Sequence, residues 1–369
     1  MKNNSSKSLN IDRALKYFDS EELVAHVDFF RSIGEETTQE PDAILKYINS
    51  PAVGALIDQR HSNCVQRARL FEALSYGSID AALACPGPSL SGILVRELGN
   101  KEQQDRFFTH VLESKARTFL AVTEPLKGSD AGKMAANLDE DNCLQGSKWL
   151  VGNAVDASVG CAIVRRGSGP LGLIAVMLDT QILSQAEVRR SLIPMSALKG
   201  ARLSRVDFSG VKIPQENILG EHLPPLKQGL FGMMRTFNQM RPIVAAVALG
   251  HGLALLDYVE DCVGLVSSEL SNIRFKISVA RDYNYKVAKM VDEDATNHVG
   301  PISLAKYESI KVVEDLSNYL MRILPLGVFI ENPGLLYRIK STFAFEYMEG
   351  TSHVQAMNIV QSYRRGENI

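Results

Sequence analysis

Three short segments combine polar side chains and glycines in patterns that could do chemistry, and one of them carries a single carboxylate in apolar company. In residues 347–353, YMEGTSH, Glu349 lies close to Phe343, Phe345, Tyr347 and Met348. Burial among such neighbours raises the pKa of a carboxyl group, as a base that removes a proton from carbon requires. The alternative is that Glu349 merely precedes a helix starting near residue 351.

The other two segments could hold a polar or flat ligand. Residues 123–130, TEPLKGSD, follow an apolar run; Pro125 fixes φ, and Gly128 allows a close approach of the backbone. Their N–H groups and hydroxyls could bind a ligand, or the segment is a plain turn. Residues 145–153, QGSKWLVGN, contain the only tryptophan, Trp149. Its indole could stack on a heterocycle or fill a core.

The elements that must position these segments change type twice along the chain. Apolar residues three and four apart predict helices from residue 11 to about 116, with a Pro-Gly-Pro loop at 86–88. Short β-branched runs at 118–122, 161–165, 173–178 and 203–213 predict an antiparallel sheet. Helical patterns return at 230–259, 267–291 and 302–323. We therefore predict an α+β protein with an N-terminal helical domain (1–116), a central β domain (117–226) and a C-terminal helical bundle (227–369).

Composition excludes several classes of function. The 369 residues are 45% hydrophobic, and 40 Lys and Arg balance 42 Asp and Glu, which predicts a folded chain without a global field for nucleic acid or an anionic membrane. Five scattered cysteines without a CxxC pair predict neither disulfides nor zinc. The polar start, and an apolar stretch at 243–256 interrupted by His251, predict a cytoplasmic protein. The GxGxxG, GxxxxGK[ST], HExxH and GxSxG motifs are missing from the sequence.

The three segments, in this order, resemble the motifs of the acyl-CoA dehydrogenase family: TEPxxGSD, GxKxWIT and EGT. Two intervening segments are similar to further family motifs. Residues 206–220, VDFSGVKIPQENILG, resemble FxxVxVPxxNxLG, and residues 237–250, FNQMRPIVAAVALG, resemble the RxxxAAxxxG helix. The resemblance extends over about residues 60–365.

The resemblance implies a fold and an activity. The expected fold has an N-terminal helical domain, a central antiparallel β-barrel domain and a C-terminal four-helix bundle, with FAD between the last two and across a subunit interface. The expected enzyme is an FAD-dependent oxidoreductase acting on CH–CH bonds of acyl thioesters. Glu349 would remove the α-proton while the β-hydride passes to FAD. An electron acceptor protein or oxygen and a homodimer or homotetramer are also implied.

The family motifs assign site residues by position. Glu349 matches the base, and Arg241 matches a buried arginine that positions or tunes it, unless Arg241 forms only a structural ion pair. The matched substrate-binding positions are Ser129, Asn238, Arg241 and Gly350. The matched FAD-binding positions are Leu120, Ala121, Val122, Thr123, Ser129, Trp149, Leu150, Val151, Thr351 and His353.

Most departures from the family pattern affect motifs that bind the adenine end of FAD in the family. Val151 replaces a threonine, and His353 replaces a glutamine. The Arg-x-x-Phe-Gly, Gly-Gly-x-Gly and Arg-Asp-Ala motifs are not recognisable in residues 261–267, 325–328 and 340–342. Asn238 stands where an acid meets the pantetheine arm. Such trimming resembles dehydrogenases of antibiotic and polyketide pathways, whose acyl group is carried by an acyl carrier protein.

Two other functions stay open at this stage. One is a flavin-dependent monooxygenase or oxidase on the same fold, although an oxygenase has no need of the base at Glu349. The other is a non-catalytic relative that has lost FAD, which the missing adenine-end motifs favour.

Overall fold

The computed structural model describes residues 11–125, 133–294 and 297–367, and its first part is helical. Two helix starts are fixed by capping boxes, in which Asn63 pairs with Gln66 and Asn100 with Gln103. The helices are α1 (Ile11–Tyr17), α2 (Glu21–Gln39), α3 (Pro51–Ile57), α4 (Cys64–Ala84), α5 (Ser89–Leu98) and α6 (Lys101–Ser114).

A sheet of eight strands follows. The strands are β1 (Thr118–Ala121), β2 (Asn137–Leu138), β3 (Cys143–Val151), β4 (Val159–Arg165), β5 (Leu173–Leu178), β6 (Val188–Leu192), β7 (Ser204–Lys212) and β8 (Ile218–Leu219), with the short helix α7 (Thr180–Leu183) after β5. Their order is β6-β7-β3-β2-β4-β5-β8, and β1 pairs with β4.

The sheet is largely antiparallel, as expected, but β4 has two parallel neighbours. Both β1 and β2 run parallel to β4, whereas the pairs β2–β3, β3–β7, β4–β5, β5–β8 and β6–β7 are antiparallel. After β1 the chain passes through the β2–β3 hairpin and then enters β4, which runs beside β1 in the same direction. Composition alone does not specify such a crossover.

The last part is again helical. Its elements are α8 (Gly229–Tyr258), α9 (Ser268–Asp294), α10 (Val299–Ile323), α11 (Leu326–Glu331), α12 (Pro333–Thr342) and α13 (Ser352–Arg364). Helix α8 packs against α4, α9 and α10, and α10 packs against α13. Helix α8 is long and apolar enough to cross a membrane by length and composition, yet its most apolar window is 94% buried within the protein. Such burial is typical of the central helix of a bundle.

The predicted order of helices, sheet and helices is confirmed. The domain limits predicted at residues 116 and 226 lie between α6 and β1 and between β8 and α8. One core cluster joins the parts, since Phe237 of α8 packs against the same apolar cluster as Leu120 and Val122 at the end of β1. Helix α8 therefore connects the sheet to the C-terminal helices.

Candidate active site

A buried ion pair fastens the loop after β1 to strand β3. The Nζ of Lys148, whose side chain is fully buried, donates to Oε1 of Glu124 at 2.9 Å and to the main-chain oxygen of Val122 at 3.0 Å. Glu124 also accepts from the main-chain N–H groups of Ala135 and Ala136. A buried charge requires such partners, and here they hold two sequence segments side by side.

This pair sets Thr123 next to Trp149. The main-chain N–H of Trp149 donates to the main-chain oxygen of Thr123 at 2.8 Å. Trp149 is 39% exposed and Leu150 is 45% exposed, and Leu150 has a left-handed φ of 55°. Thr123, which is half-buried, and the exposed side chains of Trp149 and Leu150 are thus neighbours, and we call these three residues the ledge.

The other predicted residues on these strands are less exposed. The side chains of Ala121 and Val151 are buried in the core of the sheet. Leu120 and Val122 are half-buried against the cluster shared with α8. Only main-chain atoms of Ala121 and Val151 remain to meet a ligand. Ser129 lies outside the described residues.

Glu349 lies on a strained turn between a short 3-10 helix and α13. Its φ is 50° and that of Gly350 is 94°, both in the left-handed region. A non-glycine residue in this region costs energy and persists only when its surroundings hold it. On one side the side chain of Glu346 holds the start of α13, because it accepts from the main-chain N–H and the hydroxyl of Ser352.

The main-chain oxygens of this turn are each bound twice. The oxygen of Glu349 accepts from Nε of Arg241 at 3.2 Å and from Nε2 of Gln355 at 3.3 Å. The oxygen of Gly350 accepts from Nε2 of Gln355 at 2.9 Å and from Nζ of Lys306. Side chains from α8, α10 and α13 therefore hold the turn that carries the carboxylate.

The carboxyl group itself lies in a desolvated site between two cations. Burial raises the pKa of Glu349, while the charges of Lys306 and Arg241 act in the opposite direction without cancelling the effect. Its Oε2 atom is buried and has no hydrogen-bond partner among the described residues. Burial also lowers the pKa of Arg241 to about 10. A carboxylate with raised proton affinity and a free oxygen can accept a proton from a bound molecule.

The raised pKa was predicted, but the neighbours given for it were partly wrong. Tyr347 is 72% exposed and Phe343 is 38% exposed, whereas Phe345 is fully buried. Successive residues of a tight turn point in different directions, so adjacency in the sequence does not place all of them around Glu349. The contacts to the turn come instead from side chains of three helices, α8, α10 and α13.

Arg241 and Asn238 are brought to the turn, and their contacts differ from those expected. Arg241 donates to the main-chain oxygen of Glu349 and not to its carboxylate. Asn238 is only 4% exposed, and its Oδ1 accepts from Nη1 of Arg241 at 2.8 Å. Asn238 therefore orients the guanidinium, and the substrate contact predicted for it stays a prediction.

Thr351 and His353 lie just beyond Glu349. Thr351 is the N-cap residue of α13, but its side chain makes no capping hydrogen bond. His353 is exposed, and the buried amide on this helix is two residues later, at Gln355. Of the predicted positions, the structure brings Glu349, Gly350, Arg241 and Asn238 together, and Thr123, Trp149 and Leu150 form the separate ledge.

Sequence reasoning missed four functional residues: Glu124, Lys148, Lys306 and Gln355. Three of them carried a visible signal. Glu124 and Lys148 are oppositely charged residues within two predicted ligand segments. Lys306 lies four residues after the core residue Ile302 on the apolar face of α10, where a lysine is unexpected. Gln355 gave no such signal.

A family model described as the acyl-CoA dehydrogenase C-terminal domain matches residues 227–363. The mitochondrial short-chain specific acyl-CoA dehydrogenase of Sus scrofa is 27% identical over 295 residues, which cover 73% of this chain and 69% of the pig protein. Acyl-CoA dehydrogenase AFT10-1 of Alternaria alternata is 30% identical over 171 residues, 46% of this chain, and the chain spans 37% of that relative's length.

Solved structures share the fold over nearly the whole chain. Butyryl-CoA dehydrogenase from Megasphaera elsdenii has a TM-score of 0.79 at 20% identity, covering 94% of this chain and 99% of the other. The FAD complex of PigA has a TM-score of 0.76 at 17% identity, covering 94% and 98%. The prolyl acyl carrier protein oxidase AnaB has a TM-score of 0.72 at 17% identity, covering 93% and 99%. At these identities the likeness establishes a common fold.

Proposed function

The chain belongs to the acyl-CoA dehydrogenase family, and we propose that it is an FAD-dependent dehydrogenase of acyl thioesters in which Glu349 removes the α-proton. The observation that carries this proposal is the Glu349 carboxyl group, which is desolvated, has raised proton affinity and keeps Oε2 without a partner among the described residues. An oxygen without a hydrogen-bond partner is free to take up a proton from a bound molecule.

The described residues fit a flavin at the ledge. The side chains of Trp149 and Leu150 are exposed, although large apolar side chains normally gain free energy by burial. A flat heterocycle packed on Trp149 and Leu150 would bury them. Thr123, Trp149 and Leu150 would hold the ring system, with main-chain atoms of residues 120–122 and 151 beside them. When bound, FAD supplies the two-electron acceptor for the hydride that leaves the β-carbon.

The residues of this chain remove the α-proton and hold the base in position. Glu349 takes the α-proton onto its free oxygen. Arg241 and Gln355 hold the main-chain oxygen of Glu349, so that the carboxylate keeps its place while its charge changes. Asn238 holds Arg241 in turn. Because these groups are fixed before substrate binds, little reorganisation is needed when the proton moves.

We further propose that the acyl group is carried by an acyl carrier protein. Support comes from the trimmed motifs at the adenine end and from the shared fold of AnaB, which is described as a prolyl acyl carrier protein oxidase. A carrier presents phosphopantetheine without the adenosine part of CoA, so contacts to adenosine become dispensable. An electron acceptor protein or oxygen, a homo-oligomer and a cytoplasmic location complete the proposal.

An anaerobic titration of the protein reconstituted with FAD tests both proposals. Acyl-carrier-protein thioester is expected to bleach the visible flavin absorption, and acyl-CoA is expected to bleach it more slowly. Equal bleaching by acyl-CoA would contradict the carrier assignment alone. A protein that binds FAD but is bleached by neither thioester would contradict the dehydrogenase. A colourless protein that cannot be reconstituted would favour the non-catalytic relative.

The reaction with oxygen distinguishes a dehydrogenase from a flavin-dependent monooxygenase or oxidase on the same fold. The AnaB likeness includes an oxidase by name, so the fold is compatible with oxygen as acceptor. After bleaching, air is admitted and the return of the visible flavin absorption is followed. The absorption should return slowly if a protein is the electron acceptor, and as fast as the enzyme turns over if oxygen is the acceptor.

A further inference from the structure

Lys306 is a fully buried lysine on the apolar face of α10. Its neighbours along the helix, Ile302, Ala305 and Ile310, are core residues with at most 1% exposure. Moving an ammonium group out of water costs several kcal/mol unless partners compensate it. An isolated structural lysine at this position would therefore be replaced at little cost by an apolar residue of similar shape.

The partners of Lys306 all belong to the Glu349 turn. Its Nζ donates to the main-chain oxygen of Gly350, and at 3.5 Å to that of Glu346. These two oxygens lie on either side of Glu349, so one ammonium group bridges the turn. The contact joins residues 44 positions apart in the chain, which makes it a tertiary constraint on a backbone that is strained locally.

The charges that face Lys306 come from three elements. Glu346 and Glu349 lie on the turn before α13, Arg241 lies on α8, and Glu314 lies two turns further along α10. Among the described residues, the cations that act on the Glu349 carboxyl group are Lys306 and Arg241. Burial lowers the pKa of Lys306 to about 8, and the charges of Glu349 and Glu346 act in the opposite direction.

We propose that Lys306 is the positioning residue for Glu349, because its ammonium group bridges the main-chain oxygens of Glu346 and Gly350, on both sides of Glu349, from a fully buried position on α10. This inference depends on the proposed role of Glu349 as base. Lys306 does not touch the reacting atoms. It fixes the position of the Glu349 carboxyl group, and its positive charge favours the ionised form of that group in the substrate-free protein.

Lys306→Met tests the proposal, since methionine keeps the apolar stem and removes the charge. The Glu349 titration should move to higher pH, because a buried carboxylate that loses a cation holds its proton more tightly. Infrared difference spectroscopy of the substrate-free protein measures this through the protonated carboxyl band, which Glu349→Gln identifies by its loss. The rate of flavin bleaching should fall about 10- to 100-fold through misplacement of the base, and its acid limb should move with the titration.

Two further variants complete the design. Lys311→Met removes an exposed lysine from the same helix and should leave titration and rate unchanged. Lys306→Gln keeps a donor for the Gly350 oxygen without the charge; it should shift the titration as methionine does, and it carries the test if Lys306→Met does not fold. An unshifted titration in a folded variant, even with a lower unfolding temperature, would overturn the proposal. If the titration shifts in Lys306→Met but the wild-type protein is never bleached by a thioester, the proposed function is refuted and with it any catalytic role of Lys306, and only the electrostatic effect of Lys306 on Glu349 stands.

Discussion

The ammonium of Lys148 and the carboxylate of Glu124 form a buried ion pair, 2.9 Å from Nζ to Oε1, that joins the loop after β1 to strand β3. Both side chains are at most 5% exposed. The same two segments supply Thr123 and Trp149, so the pair fixes the spacing of the ledge proposed to hold the flavin. A structural interaction thus sets the geometry of a binding surface whose own residues are partly exposed.

Removal of Lys148 should destabilise the protein strongly. Lys148→Met leaves the Glu124 carboxylate buried without its cation, which typically costs about 3–5 kcal/mol of unfolding free energy. The double variant Lys148→Met/Glu124→Gln should recover part of this loss, because no charge remains unpaired. Denaturant unfolding of both single variants and the double variant gives the coupling energy; a coupling near zero would show that the pair contributes nothing.

Acid should act through the same carboxyl group. Burial works to raise the pKa of Glu124, but donation from the Ala135 N–H, the charge of Lys148 and further hydrogen bonds outweigh it, and the pKa lies below its ordinary value. Glu124 therefore stabilises the fold above its unfolded-state pKa, and this contribution is lost as pH falls through the lower, folded-state value. In Lys148→Met the loss should occur at higher pH, which acid unfolding curves would reveal.

Truncation of the exposed indole should weaken FAD binding without unfolding the protein. Trp149→Ala should cost about 1–3 kcal/mol of binding free energy, or roughly 5- to 150-fold in Kd, if the ring packs on the flavin. Isothermal titration of the apoprotein with FAD measures it. Gln145→Ala, an exposed change on the same strand β3, is the matched control and should leave Kd unaltered. Equal affinities in all three proteins would refute the ledge assignment.

The packing of α8 on α4 depends on a glycine. A Cβ on Gly250 would lie 2.2 Å from the main-chain oxygen of Glu72, so Gly250→Ala must push the two helices apart. Overpacking of this kind typically costs about 1–3 kcal/mol. Gly327→Ala in α11 meets no described atom within 4 Å and should have no destabilising effect. Thermal unfolding compares the two variants, and similar midpoints would contradict the observed helix contact.

Much of the fold could be predicted because each part has its own local signal. The apolar pattern at 230–259 predicted α8 (Gly229–Tyr258) to within one residue at each end, and β-branched runs located β4 and β5. The parallel pairing of β1 with β4 could not be predicted, since it depends on where the β2–β3 hairpin packs and not on the composition of either strand.

The candidate site, too, could be predicted only in part from the sequence. Glu349 and Arg241 were found because they stand within recognisable motifs. Gln355 could not be found, because it binds main-chain oxygens, which leave no mark on the sequence of the residues that they belong to. Lys306 was missed although a lysine on the apolar face of α10 is unusual. The apolar surroundings of Glu349 were predicted from neighbours in the chain, but Tyr347 is 72% exposed, and the side chains that hold the turn come from α8, α10 and α13.

The most direct test of the central claim is anaerobic flavin bleaching by acyl thioester in Glu349→Gln. Glutamine keeps the size and the main-chain contacts of the turn but cannot accept the α-proton as a carboxylate does. Bound FAD should be retained and bleaching should slow by about 10²–10⁴-fold, while the control Glu308→Gln, an exposed change on α10, should bleach at nearly the wild-type rate. Bleaching of Glu349→Gln at the wild-type rate would contradict the assignment of Glu349 as the base.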